Sequence, residues 1–549
     1  MNDFPSLSLR TPRVLDLVHD NPGDAPFDTA FNDPETLKAF GYDSKVFMIF
    51  DSPQLAINWE SFDPSIFPRG SEERAWVDAK AEKLKRLYRG VKKAGLGVLC
   101  MSDLILLPRK LAEKEGENDW QDPRNPRTQE LLRHMIAESF LLLPELDGLI
   151  VRIGETYLDD APYHVGGIRE KKSPEETIIP LMKLLREEIC VKHGKQLFFR
   201  TWLSFDTEVE AYEKVSESVE PHPLMTISVK HCEGDFHRGN RFSRVLGLGR
   251  HPQIVEVQCA REYEGKGCYP NYIAEGVING FEEYTHTMVS GDLRGIQEFA
   301  VVSPLYAGVW TWSRGGGWLG PYTKNEFWCS LNAWVMARWA SDPRRSEDEV
   351  FAEYASEVLK LSTEDVSKFR SLCLLSAQAV VRGKRTTHND IRPWWSRDHY
   401  IREPDLPKDS NQRERVRREK SEAVEIWQQI CILSREIRFA DQATASFVHV
   451  TCDYGRFLYK IYQLNFALKE CEENLDPATA ERLLEEYAAV WQSWREYAGA
   501  HPDLPTLYKE EGFRYTPGHG ASGDEKHGIG ALAARLAKQL EKKRPAVLK

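Results

Sequence analysis

The 549-residue chain lacks features that several common classes of protein require. No apolar run approaches the roughly 20 residues that a membrane-spanning helix needs, so we expect no membrane partner. The first residues, MNDFPSLSLRTPRV, have no basic start followed by a long apolar stretch, and therefore show no secretory signal peptide. The ten cysteines are scattered without a CxxC pair, as expected for free thiols. These absences together predict a soluble protein of a reducing compartment, with a cytoplasmic location.

An excess of basic charge is also lacking. The chain carries 73 Lys and Arg against 84 Asp and Glu, a net charge of −11, which disfavours nucleic acid as a partner. Apolar and aromatic side chains, in contrast, are plentiful, at 41% and 11% of the residues, and are sufficient for well-packed cores. Because the length exceeds that of one ordinary core, we expect at least two domains.

Eight short apolar runs recur through the first 320 residues, separated by longer amphipathic segments. They are rich in Val, Ile, Leu and Phe and do not alternate cleanly with polar residues, which is typical of strands covered on both faces. The runs lie at 14–20, 46–51, 97–104, 148–156, 196–203, 224–236, 254–263 and 308–316. Eight such strands with helices between them predict an α/β fold, a (β/α)8 barrel. A doubly wound sheet is the competing interpretation, but no GxGxxG motif follows an early strand.

Strand signals nearly disappear after residue 325. Successive helical patterns, from NEFWCSLNAWVMARWASDP to TAERLLEEYAAVWQSWREYAG, predict an all-α region instead. We therefore predict a catalytic barrel over residues 1–325 and a C-terminal helical domain over 326–549. Trp328, Trp334 and Trp339 in the first of these helices suit either a core against the barrel or a dimer interface.

Ionisable residues stand at the ends of several predicted strands, where (β/α)8 barrels carry their active sites. Burying such charges is costly unless they pair or meet a ligand. A network of salt bridges at the rim of the barrel is the purely structural alternative. The six residues are the carboxylates Glu155, Asp235 and Glu262 and the cations Arg152, Arg200 and Lys230.

Aromatic residues, among them Tyr157, Trp202 and Trp312, lie close to these charges in the sequence. Two carboxylates across an aromatic-lined cleft suit glycosidic bond cleavage, because one donates a proton to the leaving oxygen while the other activates water or attacks. The cations favour an anionic sugar, since Arg offers a bidentate fork to a carboxylate and Lys a point charge. We therefore predict a glycoside hydrolase with an oligosaccharide substrate.

Four segments, VRIGET, FFRTW, VKHCEGDF and VEVQCAREYEGKG, resemble in order the catalytic strands of glycoside hydrolase family 67, the α-glucuronidases. The run LNAWVMARWASDPRRSEDEVFAEYASEV is similar to the start of that family's C-terminal helical domain. The resemblance covers roughly residues 140–360 at the level of motifs. We expect no counterpart of the family's N-terminal β-sandwich, because this sequence enters its first predicted strand by residue 14.

The resemblance implies an inverting, exo-acting α-glucuronidase, with a homodimer through the helical domain. It implies that Glu155 is the general acid and that Asp235 and Glu262 hold and activate the water. It also implies that Lys230 and Arg200 bind the uronate carboxylate.

Two assignments around these residues stay open. Arg152 is offset by one residue from a family lysine, and one residue reverses the facing side of a strand. Glu256 rivals Glu262 as the base, since residues six apart share one side of a strand. The segment around Glu155, GETYLDDAPYHVGG, also differs from the corresponding segment of the family. Its sequence suggests that His164 lies near the leaving group.

Further polar and aromatic residues are candidates for the substrate site. They are Tyr157, Trp202, His231, His237, Asp51, Trp312 and Arg314. His19, Asp51, Asp103 and Glu155 alternatively converge on a metal, as in barrel isomerases or lyases that act on a free sugar acid. No HxH or HExxH-like spacing supports that alternative, so we expect neither a metal nor a cofactor. Specificity for a neutral sugar, and a non-catalytic sugar-binding protein, are the remaining alternatives.

Overall fold

The computed structural model describes residues 11–19, 28–116, 118–153, 161–166, 173–202, 204–233, 236, 240–259, 264–265, 267–286, 292–315, 325–384, 403–501 and 529–543. Within these ranges the strands are β1 (Arg13–His19), β2 (Ser44–Phe47), β3 (Gly97–Asp103), β4 (Leu106–Pro108), β5 (Gly148–Arg152), β6 (His164–Gly166), β7 (Gln196–Arg200), β8 (Met225–Lys230), β9 (Gln253–Gln258) and β10 (Tyr306–Gly315).

Eight of these strands form a closed barrel in the order β1-β10-β9-β8-β7-β5-β3-β2. Neighbouring strands are parallel, and β1 closes the sheet by pairing with β2 on one side and β10 on the other. The remaining strands, β4 and β6, form a small antiparallel sheet of their own. Each barrel strand falls within or overlaps one of the eight predicted runs, so the predicted (β/α)8 barrel is confirmed.

Two apolar layers follow from the alternation of side chains along the strands. One set of alternate residues, including Leu15, Leu99, Ile150, Phe198 and Ile254, forms a buried cluster inside the barrel. The intervening residues join a larger cluster shared with the surrounding helices. Burial on both faces explains why the predicted strands showed no polar alternation.

Helix α2 (Glu72–Lys93) begins where its sequence indicates. The longest barrel helix, Glu72–Lys93, has Ser71 as its N-cap and buries Val77 and Leu84 on the side facing the barrel. The described helices are α1 (Pro34–Phe40), α2 (Glu72–Lys93), α3 (Arg109–Glu115), α4 (Pro126–Leu142), α5 (Ile178–Leu185), α6 (Ser204–Thr207), α7 (Val209–Ser218), α8 (Ala274–Asn279), α9 (Ile296–Val302), α10 (Phe327–Ser341), α11 (Glu347–Glu353), α12 (Thr363–Lys384), α13 (Ser410–Glu436), α14 (Gln442–Glu473), α15 (Pro477–Ala500) and α16 (Ile529–Lys543).

Helix α10 packs against β10 and β1, the position of the eighth helix of a (β/α)8 barrel. The hydroxyl of Tyr42, just before β2, donates to the carbonyl oxygen of Ala333 on α10 at 3.3 Å. Trp328, Trp334 and Trp339 are all buried, so they serve as core within the protomer rather than as a dimer surface. The domain boundary between residues 325 and 326 stays a prediction.

The chain beyond α10 consists of helices and connecting loops in its described part. Helix α13 packs against α12 and α14, and α14 in turn contacts α15 and α16. Among the described helices, none is both long and apolar enough to cross a membrane.

Candidate active site

Three buried cations surround one indole ring at the carboxyl ends of neighbouring strands. Arg152 ends β5, Arg200 ends β7 and Lys230 ends β8, so the parallel barrel brings them to the same end. The Trp202 ring centre lies 5.4 Å from Cζ of Arg152, 5.4 Å from Cζ of Arg200 and 4.0 Å from Nζ of Lys230. Four of the residues predicted for substrate binding therefore meet at the end of the barrel that carries active sites.

Two of these cations form bidentate ion pairs with buried carboxylates. Nε and Nη2 of Arg152 donate to Oδ1 and Oδ2 of Asp103 at 3.0 and 2.6 Å. Nε and Nη2 of Arg200 donate to Oε2 and Oε1 of Glu256 at 2.8 and 2.5 Å. The arginines are 4% and 1% exposed, which places both pairs in a low-dielectric environment where an unpaired charge would be costly.

Glu256 is the counter-ion of Arg200. Its carboxylate is fully buried and also lies 3.4 Å from the hydroxyl of Ser228, so its oxygens are occupied by protein donors. This geometry disfavours the rival assignment in which Glu256 activates water.

Lys230 has a looser partner than the arginines. Its Nζ lies 3.6 Å from Oδ2 of Asp206, and Oδ1 of Asp206 accepts a hydrogen bond from Thr201 at 2.6 Å. Asp206 belongs to the short helix α6, just after β7, and sequence reasoning missed it because it follows the strand rather than ending it.

Several buried donors at this end of the barrel have no hydrogen-bond acceptor within the described part of the chain. They are Nη1 of Arg200 and Nε1 of Trp310 and of Trp312. The Arg200 guanidinium lies 5.0 Å from the Trp312 ring centre and 5.7 Å from that of Trp310, so these donors share one neighbourhood. Buried donors normally find an acceptor, so this cluster is suited to an oxygen-rich ligand.

Aromatic rings form a wall beside Trp312. His19 at the end of β1 and Phe236 after β8 lie 4.9 and 5.7 Å from the Trp312 ring, measured between ring centres. The predicted site residue His231 stacks on Phe236 at 5.7 Å, and its Nδ1 lies 3.4 Å from the carbonyl oxygen of Glu256. Flat apolar faces next to polar donors match the alternating character of a sugar ring.

Arg314 is not brought into this group. Its Nε lies 3.2 Å from Oε1 of Glu326, and its Nη1 contacts Sγ of Cys329 on α10 at 3.6 Å. The cause is a register shift in the β1–β10 pairing, which places Arg314 opposite Val18, a residue of the layer between barrel and helices. A one-residue shift reverses the facing side of a strand.

Asp51 also lies apart from the central group. Strand β2 ends at Phe47, earlier than predicted, and Asp51 ends a short 3-10 turn that follows it. Its carboxylate is 2.7 Å from Nζ of Lys83 and 3.6 Å from Nζ of Lys80, both on α2. Of the four residues considered from the sequence for a metal site, Asp51 and Asp103 each pair with a cation, and Glu155 lies outside the described residues. Within the described ranges, no cluster of His, Cys, Asp and Glu could hold a metal ion.

His164, which the sequence suggested near the leaving group, lies on β6. It is fully buried between Phe67 and Trp76, at 5.8 Å from each ring centre, with Nδ1 2.8 Å from the carbonyl oxygen of Pro162. Burial lowers the pKa of His164 to about 4, so it is neutral at physiological pH.

Five of the predicted site residues lie outside the described residues. They are Glu155, Tyr157, Asp235, His237 and Glu262. Their assignments remain predictions from the sequence.

No protein-family model and no curated protein matches the sequence. A solved structure of a GH138 enzyme targeting pectin rhamnogalacturonan II aligns over 98% of this chain and 69% of its own, with 12% identity and a TM-score of 0.55. CpGH84B aligns over 96% and 77% with 10% identity and a TM-score of 0.43. A variant O-GlcNAc hydrolase of Thermobaculum terrenum aligns over 97% and 95%, with 9% identity and a TM-score of 0.39. At 12% identity, the similarity to the GH138 enzyme is one of fold.

Proposed function

We propose that this chain is a glycoside hydrolase that removes an α-linked uronic acid, such as glucuronic acid, from the end of an oligosaccharide. The observation that carries the proposal is the pair of available cationic donors at the barrel end. Nη1 of Arg200 has no acceptor among the described residues, and within that same part of the chain the carboxylate partner of the Lys230 ammonium is Asp206, at 3.6 Å. Both groups border the Trp202 ring, so one carboxylate can meet both.

In the proposed site the sugar carboxylate binds to Arg200 and Lys230. The guanidinium is already oriented by Glu256, so its Nη1, which has no acceptor in the described part of the chain, loses little conformational freedom when it binds a ligand. Arg152 has a different role, because Asp103 engages its guanidinium in a bidentate pair and the group lies against Trp202. Arg152 and Asp103 thus help to orient the ring between the cations.

The chemical step uses the carboxylates predicted from the sequence. Glu155 donates its proton to the glycosidic oxygen as the bond to the anomeric carbon breaks. Asp235 and Glu262 hold a water molecule on the opposite face and take its proton as it attacks, which inverts the anomeric configuration.

The fold adds general support for this reaction. The GH138 enzyme shares the barrel and its helical continuation, and its target is a pectin polysaccharide. Oligosaccharides from pectin therefore belong in any substrate panel, beside aldouronic oligosaccharides and aryl α-glucuronides. A cytoplasmic location and a homodimer through the helical domain remain parts of the proposal that require their own measurements.

Specificity for a neutral sugar is the second candidate, and the charge balance favours it. The four buried cations at or near this end each have a carboxylate partner, namely Arg152 with Asp103, Arg200 with Glu256, Lys230 with Asp206 and Arg314 with Glu326. A neutral hydroxyl-rich sugar would meet the indole donors that have no acceptor among the described residues, without adding charge.

The two candidates are separated by paired substrates that differ only at C6. We expect the wild-type protein to hydrolyse aryl α-glucuronide faster than aryl α-glucoside, and NMR of the first product to show the β-anomer.

Lys230→Met should raise KM for the glucuronide by about tenfold or more, because loss of a charge-assisted contact costs roughly 1.5–3 kcal/mol. Lys83→Met is the control, since Lys83 pairs with Asp51 away from the site. Equal rates on both substrates, with no effect of Lys230→Met, would favour the neutral sugar.

A further inference from the structure

The loop between β9 and α8 is enclosed by helices that lie beyond the barrel in sequence. Cys259 at its start and Cys268, Tyr269, Tyr272 and Ile273 near its end are all at most 3% exposed. Buried loops are unusual, because their backbone groups need partners inside the protein. In this loop, partners of the described residues lie on α10 and on the helices that follow it.

Asn332 of α10 joins the two sides of this loop. Its Nδ2 donates to the carbonyl oxygens of Asn271 and Cys259 at 3.0 and 3.5 Å, and its Oδ1 accepts from the backbone N–H of Ile273 at 2.9 Å. One buried amide therefore fixes Cys259, which comes directly before residues 260–263, relative to the chain that follows them.

Tyr269 anchors the loop in an aromatic box built by the helical region. Its ring lies 5.7 Å from that of Trp427 on α13, and 6.2 and 5.6 Å from those of Tyr454 and Tyr459 on α14. The hydroxyls of Tyr269 and Tyr459 are 3.2 Å apart. Trp427 fits because Gly455 has no side chain, since a Cβ there would overlap the indole.

Tyr272 provides a second anchor three residues later. Its backbone N–H donates to the hydroxyl of Ser376 on α12 at 3.0 Å, and its own hydroxyl contacts the buried carboxylate of Glu347 on α11. Arg370 of α12 completes this group through an ion pair with Glu347. Four helices beyond the barrel thus bind one barrel loop.

We infer that the helical region serves to position the two described ends of the β9–α8 loop, the stretch of sequence that contains Glu262, with Trp427 and Tyr459 as positioning residues that act through Tyr269. The inference rests on the proposed function, because it takes Glu262 as a carboxylate that handles the attacking water. Catalytic groups must be held closely in place, and rigid support of the adjoining loop supplies that restraint.

The test compares two buried tryptophans of the helical region. Trp427→Leu removes a wall of the aromatic box, whereas Trp491→Leu truncates an equally buried indole on α15, next to Tyr487. Hydrogen exchange of peptides covering 259–274 should be about tenfold faster in Trp427→Leu and unchanged in Trp491→Leu. Equal exchange in the two variants would overturn the inference.

Steady-state kinetics of the same variants test whether the loop affects catalysis by Glu262. They also separate an effect on positioning from simple destabilisation of the fold. In Trp427→Leu, kcat should fall about tenfold with little change in KM, and the acidic limb of the pH profile of kcat/KM should shift. Loss of folded protein alone would scale the whole profile without changing its shape, and that outcome would contradict the inference.

If Trp427→Leu does not fold, Tyr459→Phe provides the same readouts with a smaller expected change. If the wild-type protein hydrolyses no glycoside, the proposed function fails, while the exchange experiment still decides whether the helical region holds the loop.

Discussion

At the scale of single residues, the ends of the barrel strands combine charges that serve the fold with charges left available to a ligand. Arg200 shows both uses, since two of its nitrogens bind Glu256 and the third has no acceptor among the described residues. A sequence pattern identifies such residues by type and position, but not which of their atoms are already occupied. That is why Glu256 remained a rival to Glu262 from the sequence, where only position relative to the strand end favoured Glu262, and why Asp206 was missed.

Replacing Glu256 tests its role as a counter-ion. Glu256→Gln should lower the free energy of unfolding by about 3–5 kcal/mol, because it leaves the guanidinium of Arg200 buried beside a neutral group. Thermal and urea unfolding measure the loss. The double variant Arg200→Met with Glu256→Gln serves as control and should recover part of the stability. A Glu256→Gln protein as stable as the wild type would contradict the assignment.

Asp16 on β1 provides a pH-dependent prediction. Burial raises the pKa of Asp16 to about 6, opposed by Lys45 and by hydrogen bonds from Thr311 and Ser313. The folded state therefore holds the proton more tightly than the unfolded state. The stabilising contribution is complete below the pKa of the unfolded chain and is lost as the pH rises through about 6.

The comparison is between wild type and Asp16→Asn, which cannot titrate at this position. From about pH 7.5 to about pH 5, the wild-type protein should gain about 1 kcal/mol in unfolding free energy relative to the variant, since a tenfold change in proton affinity corresponds to about 1.4 kcal/mol. Urea denaturation at the two pH values measures this difference. A difference that stays constant or decreases at the lower pH would disprove the role of Asp16.

At the scale of elements, β10 closes the barrel through a tight approach to β1. Gly308 pairs with Arg13 and has a φ of 123°, and a Cβ at Gly308 would overlap the Arg13 backbone. Gly308→Ala should therefore lower the free energy of unfolding by several times the roughly 1 kcal/mol that a left-handed conformation alone costs an alanine.

A matched glycine isolates the effect of the close approach. Gly70 also has a positive φ, of 86°, but a Cβ added there would have no atom within 4 Å, so Gly70→Ala should cost only the conformational part. Thermal unfolding of both variants supplies the comparison. Equal losses would show that backbone conformation, rather than contact with Arg13, requires glycine at 308.

The order and number of barrel strands could be predicted from the sequence because buried parallel strands are continuous apolar runs. Their last residues could not, since the end of a strand depends on pairing with its neighbours. Strand β2 ends before Asp51, and the register shift of β10 turns Arg314 toward α10. Both residues were predicted for the substrate site from their place at the end of a predicted strand, and both instead pair with groups of the helical layer.

At the scale of the whole molecule, the barrel and the helices that follow it share one buried core. The apolar periodicity of the helices indicated an all-α region, but not that Trp427, Tyr454 and Tyr459 would enclose a barrel loop. Contacts between residues some 190 positions apart, such as Tyr269 with Tyr459, leave no local signal in a single sequence.

The chemistry at the barrel end is tested most directly with Glu155→Gln, on two α-glucuronides that differ only in their leaving group. A general acid matters most when the leaving group is poor, so the variant should hydrolyse an alkyl or sugar α-glucuronide about 10²–10⁴-fold more slowly than the wild type. On a dinitrophenyl α-glucuronide, whose leaving group needs no proton, we expect a much smaller loss. Near wild-type turnover of the alkyl glucuronide by Glu155→Gln would contradict the assignment of Glu155 as the general acid.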